Sequence, residues 1–223
     1  LVRTNLRLGE LDSMDKKKLS EALGNILQEK GKRKFTQSIE IIINTKGVDF
    51  SKSENRVNLD VPLAKGRGEK QPKVAVIAEE NIAMQAKKAG ADLIIAPNEL
   101  PSYAAPQRLK DLARNYMMLA QPNLMAQVAK SLGQYLGPRG KLPKPIVGAI
   151  GELIDKSRRS VRIISKGKFM PVLQSFVGTE SMSTQDLTEN IEDVYEAIKN
   201  KVSERNIKSI YIKLTMGKPE RVM

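Results

Sequence analysis

The spacing of apolar residues predicts a helix and two strands in the first part of the chain. Residues 15–29 carry apolar side chains at helical intervals, at Leu19, Ala22, Leu23, Ile26 and Leu27. Gly31 follows, where a glycine commonly ends a helix. Apolar and polar residues then alternate over 36–45 and 56–63, which predicts two half-buried strands.

The pattern changes in the middle of the chain, where the apolar positions become continuous. The runs at 73–78 and 93–96 flank a helical segment at 79–88. Such an order predicts a βαβ unit whose parallel strands are buried on both faces. Further helices are predicted at 107–115, 123–135 and 147–157, with a short apolar run at 117–120.

Alternation returns after residue 160, beginning with Val161 and Ile163. The predicted elements are a hairpin turn at 166–168, a return strand at 169–177, a helix at 184–205 that Ser183 could cap, and a last strand at 210–214. The chain therefore has an α/β part between two α+β parts. We expect an outer domain from 1–64 and 160–223, with an α/β domain inserted at 65–159.

Composition narrows the choice of function. A net charge of +13 and a pI near 9.8 favour an anionic partner, either nucleic acid or a membrane surface. The chain contains neither Cys nor His, which excludes disulfides, the usual zinc sites and His-assisted catalysis. We expect a cytoplasmic protein without cofactor, metal, signal peptide or membrane span, and not an enzyme, although Asp, Glu, Lys and Tyr could still perform acid–base chemistry.

The segment 136–145, LGPRGKLPKP, combines glycines, prolines and cations in a way that favours a shaped loop. Arg139, Lys141 and Lys144 could hold phosphates there, or the loop could only connect two elements. It lacks the spacing of a phosphate-binding P-loop. The first βαβ unit also lacks the GxGxxG of dinucleotide sites.

Two other segments are candidates for RNA contact. Lys30, Lys32, Arg33 and Lys34 precede Phe35, which could stack on a base or sugar while the cations meet phosphates. Thr215, Met216 and Gly217 end the last strand and could face RNA hydroxyl groups. The alternative interpretations are a solvated basic turn and a plain end of a strand. Ser181 and Met182 are equally ambiguous.

Together these segments resemble the ribosomal protein L-one family of the large subunit, in an archaeal form. The resemblance rests on LGPRGKLPKP, the basic run into Phe35 with Ser38 and Glu40, the segment from Val177 to Ser181, and TMG at 215–217. It implies a discontinuous outer domain with a split β-α-β arrangement and an inserted, three-layer Rossmann-like domain. The matching segments occur in the family's order, and the resemblance covers nearly the whole chain.

The resemblance further implies function and partners. Family members bind large-subunit rRNA in the mobile stalk beside the tRNA exit site, and many repress translation of their own mRNA. Carried over, the RNA contacts fall on Lys34, Phe35, Ser38, Glu40, Gly178, Ser181, Thr215, Met216 and Gly217. From the cationic loop itself we expect auxiliary RNA contacts at Arg139 and Lys141, on the inserted domain. The free protein would be a monomer. The competing hypotheses are a nucleotide-dependent enzyme that uses the inserted domain and, ranked last, a peripheral membrane protein.

Overall fold

The computed structural model describes residues 16–165 and 170–223. These residues form two compact units, one containing the described residues up to Glu69 together with Val161–Met223, the other Lys70–Ser160. The predicted hairpin turn at 166–168 and the first residue of the predicted return strand lie outside the described residues.

The helices and strands are as follows, in chain order: α1 Lys16–Leu27, β1 Ser38–Thr45, β2 Asn58–Pro62, β3 Lys73–Ile77, α2 Glu80–Lys88, β4 Leu93–Ile95, α3 Leu100–Tyr103, α4 Pro106–Asn115, β5 Tyr116–Ala120, α5 Met125–Leu136, β6 Lys144–Pro145, α6 Ile150–Arg159, β7 Ser160–Ile164, β8 Val172–Thr179, α7 Thr184–Val202, β9 Ile207–Leu214 and β10 Glu220–Arg221.

The first unit is built around an antiparallel sheet with strand order β10-β9-β1-β8. Ile39, Ile41 and Ile43 of β1 are fully buried on one face, where α1 and α7 share their core. The intervening residues, from Ser38 to Asn44, lie on the opposite face and are half-buried. The alternation in the sequence thus determines which side chains this sheet presents on its outer face.

The long helix α7 begins as the sequence predicts. Ser183 caps it, because its hydroxyl oxygen accepts a hydrogen bond from the Asp186 N–H at 3.1 Å. The helix ends at Val202 rather than at 205. Ser203 adopts a positive φ of 68°, and a single 3₁₀ turn at Glu204–Asn206 leads into β9.

The second unit is a three-layer α/β arrangement around a parallel sheet with strand order β4-β3-β5-β6. Val74 and Val76 of β3 pack with α2 and α6 on one face. Ala75 and Ile77 pack with α3, α4 and α5 on the other face. This confirms the βαβ unit, and it explains the continuous apolar runs, because these strands are buried on both faces.

The prediction that 136–145 is entirely loop is wrong at both ends. Leu136 is the fully buried last residue of α5. Lys144 and Pro145 form the short edge strand β6, opposite Leu119 and Ala120 of β5. A proline is tolerated there because an edge strand pairs on one side only. The short elements α3 and β10 are also absent from the sequence prediction.

Candidate nucleic-acid interface

Three separate chain segments meet at one end of the antiparallel sheet. Because β1 runs antiparallel to both β8 and β9, its first residues pair with the last residues of those strands: Ser38 with Thr179, and Ile39 with both Gly178 and Leu214. We use the term sheet-end surface for Lys34, Phe35, Ser38, Glu40, Gly178, Ser181, Thr215, Met216 and Gly217. The fold therefore places together residues that are far apart in the sequence.

Thr215 fastens the end of β9 to the start of β1. Its backbone N–H donates to the Ser38 carbonyl oxygen at 2.9 Å. Its hydroxyl accepts from the Ser38 N–H at 3.0 Å and donates to the Ser38 carbonyl oxygen at 3.2 Å. The hydroxyl proton of Thr215 is thus already used within the protein, so this side chain positions the TMG segment.

Gln37 joins the three segments, and the sequence prediction missed it. This side chain is only 1% exposed. Its amide oxygen accepts from the Met216 N–H at 3.2 Å, and its amide nitrogen donates to the Glu180 carboxylate at 3.2 Å. The Gln37 carbonyl oxygen also accepts from the Glu180 N–H at 3.0 Å. No local pattern marks this glutamine, because its partners come from β9 and from the segment after β8.

The exposed side chains of the surface are suited to RNA. Phe35 and Met216 are large apolar residues that are 50% and 58% exposed. An exposed ring can stack on a base, and a thioether adapts to an irregular apolar surface. Lys34 and Ser181 are also exposed. The Ser181 hydroxyl lies 2.8 Å from that of Thr179, which fixes its position.

Glu40 lies on the outer face of the sheet, next to the bulge between Ile39 and Glu40. Its cross-strand neighbours are Lys213 in β9 and Phe176 in β8. The site thus combines a carboxylate, a cation and an aromatic ring, with the carboxylate able to accept hydrogen bonds from hydroxyl or amino groups of a ligand.

The two glycines of the surface have different surroundings. Gly178 is buried, and a Cβ atom there would lie 2.5 Å from Leu187 Cδ2 and 2.9 Å from Met182 Sδ. Its absence of a side chain therefore lets β8 approach α7. Gly217 is half-buried, and a Cβ atom would lie 3.1 Å from that of Leu214.

The segment that follows β2 also packs at this end of the sheet. The Arg67 guanidinium lies 4.8 Å from the centre of the Phe176 ring, and burial lowers the pKa of this arginine. Gly68 has a φ of +62°, and a Cβ atom there would lie 2.6 Å from Thr179 Oγ1. The sequence prediction included neither residue.

Asn190 of α7 holds this same segment in place. The side chain is fully buried. Its amide nitrogen donates to the carbonyl oxygens of Gly66 and Val177 at 2.9 and 2.8 Å, and its amide oxygen accepts from the Lys65 N–H at 3.0 Å. One buried amide thus joins the segment after β2, strand β8 and helix α7.

The two auxiliary residues lie in the other unit. Arg139 stacks on Tyr135, with its guanidinium carbon 3.6 Å from the ring centre. Lys141 donates its backbone N–H to the Leu136 carbonyl oxygen at 2.9 Å, which closes the turn between them. Arg139 and Lys141 thus belong to the second unit, whereas the sheet-end surface belongs to the first.

The crevice at the carboxyl ends of β3 and β4 does not favour a nucleotide phosphate. It is lined by Glu79, Glu80 and Gln121, among others, and α2 begins at Glu80. Two carboxylates stand where a phosphate-binding helix would offer free N–H groups. Within 16–165 and 170–223, no group of three metal-ligating side chains occurs, and no helix has both the length and the apolar character that a membrane span needs.

Known proteins resemble this chain over most of its length. A profile of the Ribosomal protein L1p/L10e family matches residues 26–218. Large ribosomal subunit protein uL1 of Thermofilum pendens is 44% identical over 195 residues, covering 86% of each chain. The protein of the same name from Thermococcus kodakarensis is 41% identical over 217 residues, covering 94% of this chain and 99% of its own.

A third relative extends the agreement. Large ribosomal subunit protein uL1 of Methanothermobacter thermautotrophicus is 43% identical over 197 residues, covering 86% of this chain and 92% of its own. These relatives are archaeal ribosomal proteins, which are structural proteins and not enzymes. The match spans the sheet-end surface as well as the LGPRG segment, and the chain belongs to the ribosomal protein L1p/L10e family.

Proposed function

We propose that this chain is a structural component of the large ribosomal subunit, in the cytoplasm, and binds large-subunit rRNA through the sheet-end surface. Its membership of the family and the names of its relatives support the ribosomal role. One observation supports the RNA site most strongly. Hydrogen bonds from the Met216 N–H to Gln37 and between Ser38 and Thr215 hold the backbone in place, while the side chains of Phe35 and Met216 stay exposed.

Each exposed group has a distinct task in this proposal. Phe35 stacks on a base or sugar, and Met216 packs against the ribose edge of the same RNA. Lys34 neutralises a phosphate, which makes binding depend on salt. Ser181 and Glu40 exchange hydrogen bonds with 2′-hydroxyl groups. Thr215, Gly178 and Gln37 act indirectly, because their contacts hold the presenting segments in place.

The domain roles and the finer biological role form part of the same proposal. The outer domain, 1–64 with 160–223, is the RNA-binding domain, and 65–159 is the inserted domain. The rRNA target lies in the mobile stalk beside the tRNA exit site, so tRNA is a further partner there. A similar structure in the protein's own mRNA allows it to repress its own translation. The free protein is a monomer.

Filter binding to a labelled large-subunit rRNA fragment tests the site. Thr215→Val removes the hydroxyl that makes two hydrogen bonds to Ser38 and fastens the TMG segment. We expect about 10-fold weaker binding, since the loss of two neutral hydrogen bonds of about 1 kcal/mol each can exceed the roughly 1.4 kcal/mol that corresponds to a factor of ten. Thr45→Val is the matched control, because its hydroxyl donates to the Pro171 carbonyl oxygen at 3.0 Å at the opposite end of β1.

The Thr45 variant should bind rRNA as the wild type does. Equal affinities of all three proteins would contradict the assignment of the surface. Failure of the wild type to bind the fragment would contradict the proposed function. Competition by a transcript of the protein's own message, with similar sensitivity to Thr215→Val, would support repression through the same surface, and an absence of competition would contradict it.

A further inference from the structure

The second unit carries a basic groove that the sheet-end surface does not use. It lies between α4 and the end of α5 and has a volume of about 900 Å³. We call it the α4 groove. The cations that line it are Arg108, Lys110, Arg114 and Arg139, together with the ring of Tyr135.

The charge of the α4 groove is strongly one-sided. Among its described lining residues Asp111 is the one carboxylate, against four cations. The Asp111 carboxylate already accepts from the Asn115 amide at 2.5 Å. The lining cations are exposed on the surface of the unit, because α4 buries Leu109, Leu112 and Ala113 instead. The groove therefore presents exposed cationic side chains, with one carboxylate among its described lining residues.

Contacts within the LGPRG segment and with Tyr135 fix the position of the Arg139 side chain in this groove. Its guanidinium stacks on Tyr135 at 3.6 Å and donates to the Tyr135 carbonyl oxygen at 3.1 Å. The turn that carries it is closed by hydrogen bonds from the Gly140 N–H to the Gly137 carbonyl oxygen and from the Lys141 N–H to the Leu136 carbonyl oxygen, both 2.9 Å. Gly140 has a φ of 61°, which glycine adopts without strain.

The arrangement favours a polymer over a small anion. A free phosphate is normally held by donors that converge in a buried cradle, whereas these cations are spread along an open groove. Residues 107 and 114 lie about 10 Å apart along a helix that rises 1.5 Å per residue. One strand of duplex DNA carries a phosphate roughly every 3.4 Å along the axis, so at a comparable spacing this length faces about three backbone phosphates. Tyr135 is covered by Arg139, so the groove offers phosphate contacts and no free stacking platform.

We propose that the α4 groove binds the phosphate backbone of RNA without regard to sequence, as a second contact separate from the sheet-end surface. The identification of RNA as the polymer rests on the proposed function, while the groove itself rests on its own geometry. Arg139 belongs to this contact. The described residues that line the groove do not include Lys141. The backbone hydrogen bond of Lys141 to Leu136 helps to shape the turn that carries Arg139.

The test compares two triple variants of equal charge. The groove variant carries Arg108→Gln, Arg114→Gln and Arg139→Gln. The control variant carries Lys87→Gln, Lys88→Gln and Arg159→Gln, which are exposed positions on α2 and α6. These two helices pack on the opposite face of the parallel sheet from α4 and α5. Circular dichroism checks that both variants fold, and Arg114→Glu alone repeats the test with a single exposed change.

Binding is measured over a range of salt concentrations, with the rRNA fragment and with an unrelated 20-base-pair RNA duplex. We expect the groove variant to lower the salt slope by about 2–3, because each lost phosphate contact removes roughly 0.7–0.9. The control should change the slope by less than about half of that. Discrimination between the two RNAs should stay as in the wild type.

Three results decide the proposal. Equal slopes for the two triple variants, with wild-type binding intact, would overturn the groove and leave the proposed function standing. A groove-dependent slope on the duplex, with no wild-type preference for the rRNA fragment, would support the groove and contradict the proposed rRNA role. Groove-dependent binding of poly-glutamate without any effect on RNA would overturn the proposal in favour of an acidic protein partner.

Discussion

Replacing Gln37 by Leu tests whether the sheet-end surface is held together from within. The side chain is 1% exposed, so the variant cannot lose a direct contact with RNA of any size. It loses the hydrogen bond to the Met216 N–H and the one to the Glu180 carboxylate. Glu180 is itself only 5% exposed, so little water can replace the lost donor.

The expected cost follows from these contacts. A neutral backbone hydrogen bond contributes about 1 kcal/mol, and one to a charged group about 1.5–3 kcal/mol. We therefore expect Gln37→Leu to lower the free energy of unfolding by about 2–4 kcal/mol. RNA affinity should fall at least about 10-fold, because Met216 is no longer fixed.

Urea unfolding followed by circular dichroism measures the first quantity, and filter binding at a temperature where the variant is folded measures the second. Gln174→Leu is the control, since Gln174 is exposed on β8 and should change stability by less than about 0.5 kcal/mol. A Gln37 variant of wild-type stability would refute the energetic reasoning. A destabilised but folded variant with wild-type affinity would refute the positioning role.

Three further predictions concern stability. Asn190→Leu should cost about 2–4 kcal/mol in urea unfolding, because buried partners lose their hydrogen bonds, whereas Asn200→Leu at an exposed position of α7 should change little. Gly178→Ala should cost about 1–3 kcal/mol by overpacking, and wild-type stability would contradict the close approach to α7. Burial and the hydrogen bond to Glu204 raise the pKa of Tyr195 from 10.0 to about 12. The folded state therefore favours the neutral phenol, and stability should fall as pH rises from about 10 to about 12. In an absorbance titration of tyrosine ionisation, Tyr195→Phe should remove the step at high pH. Persistence of that step would contradict its assignment to Tyr195.

The sequence predicts the fold well where burial follows a simple period. Alternating residues identify β1, because this strand is buried on one face only. A continuous apolar run identifies β3, because this strand is buried on both faces. Short elements escape this reasoning. Residues 144–145 pair with β5 although proline suggests a loop, and β10 has only two residues. Their pairing depends on the neighbouring strand, which no local pattern reveals.

The candidate site likewise contains residues that the sequence reveals and residues that it does not. Exposed residues with distinctive chemistry, such as Phe35 and Met216, stand out in a family motif. The residues that hold them do not, because their partners are remote in sequence: Thr215 bonds to Ser38 across 177 positions, and Gln37 to Glu180 across 143. A buried polar side chain with such partners resembles any other polar residue until the strands are paired.

The binding of rRNA by Met216→Asp, compared with that by Met84→Asp, tests the central claim most directly. The two methionines are 58% and 61% exposed, the first on the sheet-end surface and the second on α2 of the other unit. Each change replaces an exposed thioether side chain with a carboxylate and so adds one negative charge. We predict about 100-fold weaker binding for Met216→Asp, from carboxylate–phosphate repulsion of about 2.7 kcal/mol, and nearly wild-type binding for Met84→Asp. Equal affinities for the two variants would contradict the claim that RNA binds at the sheet end.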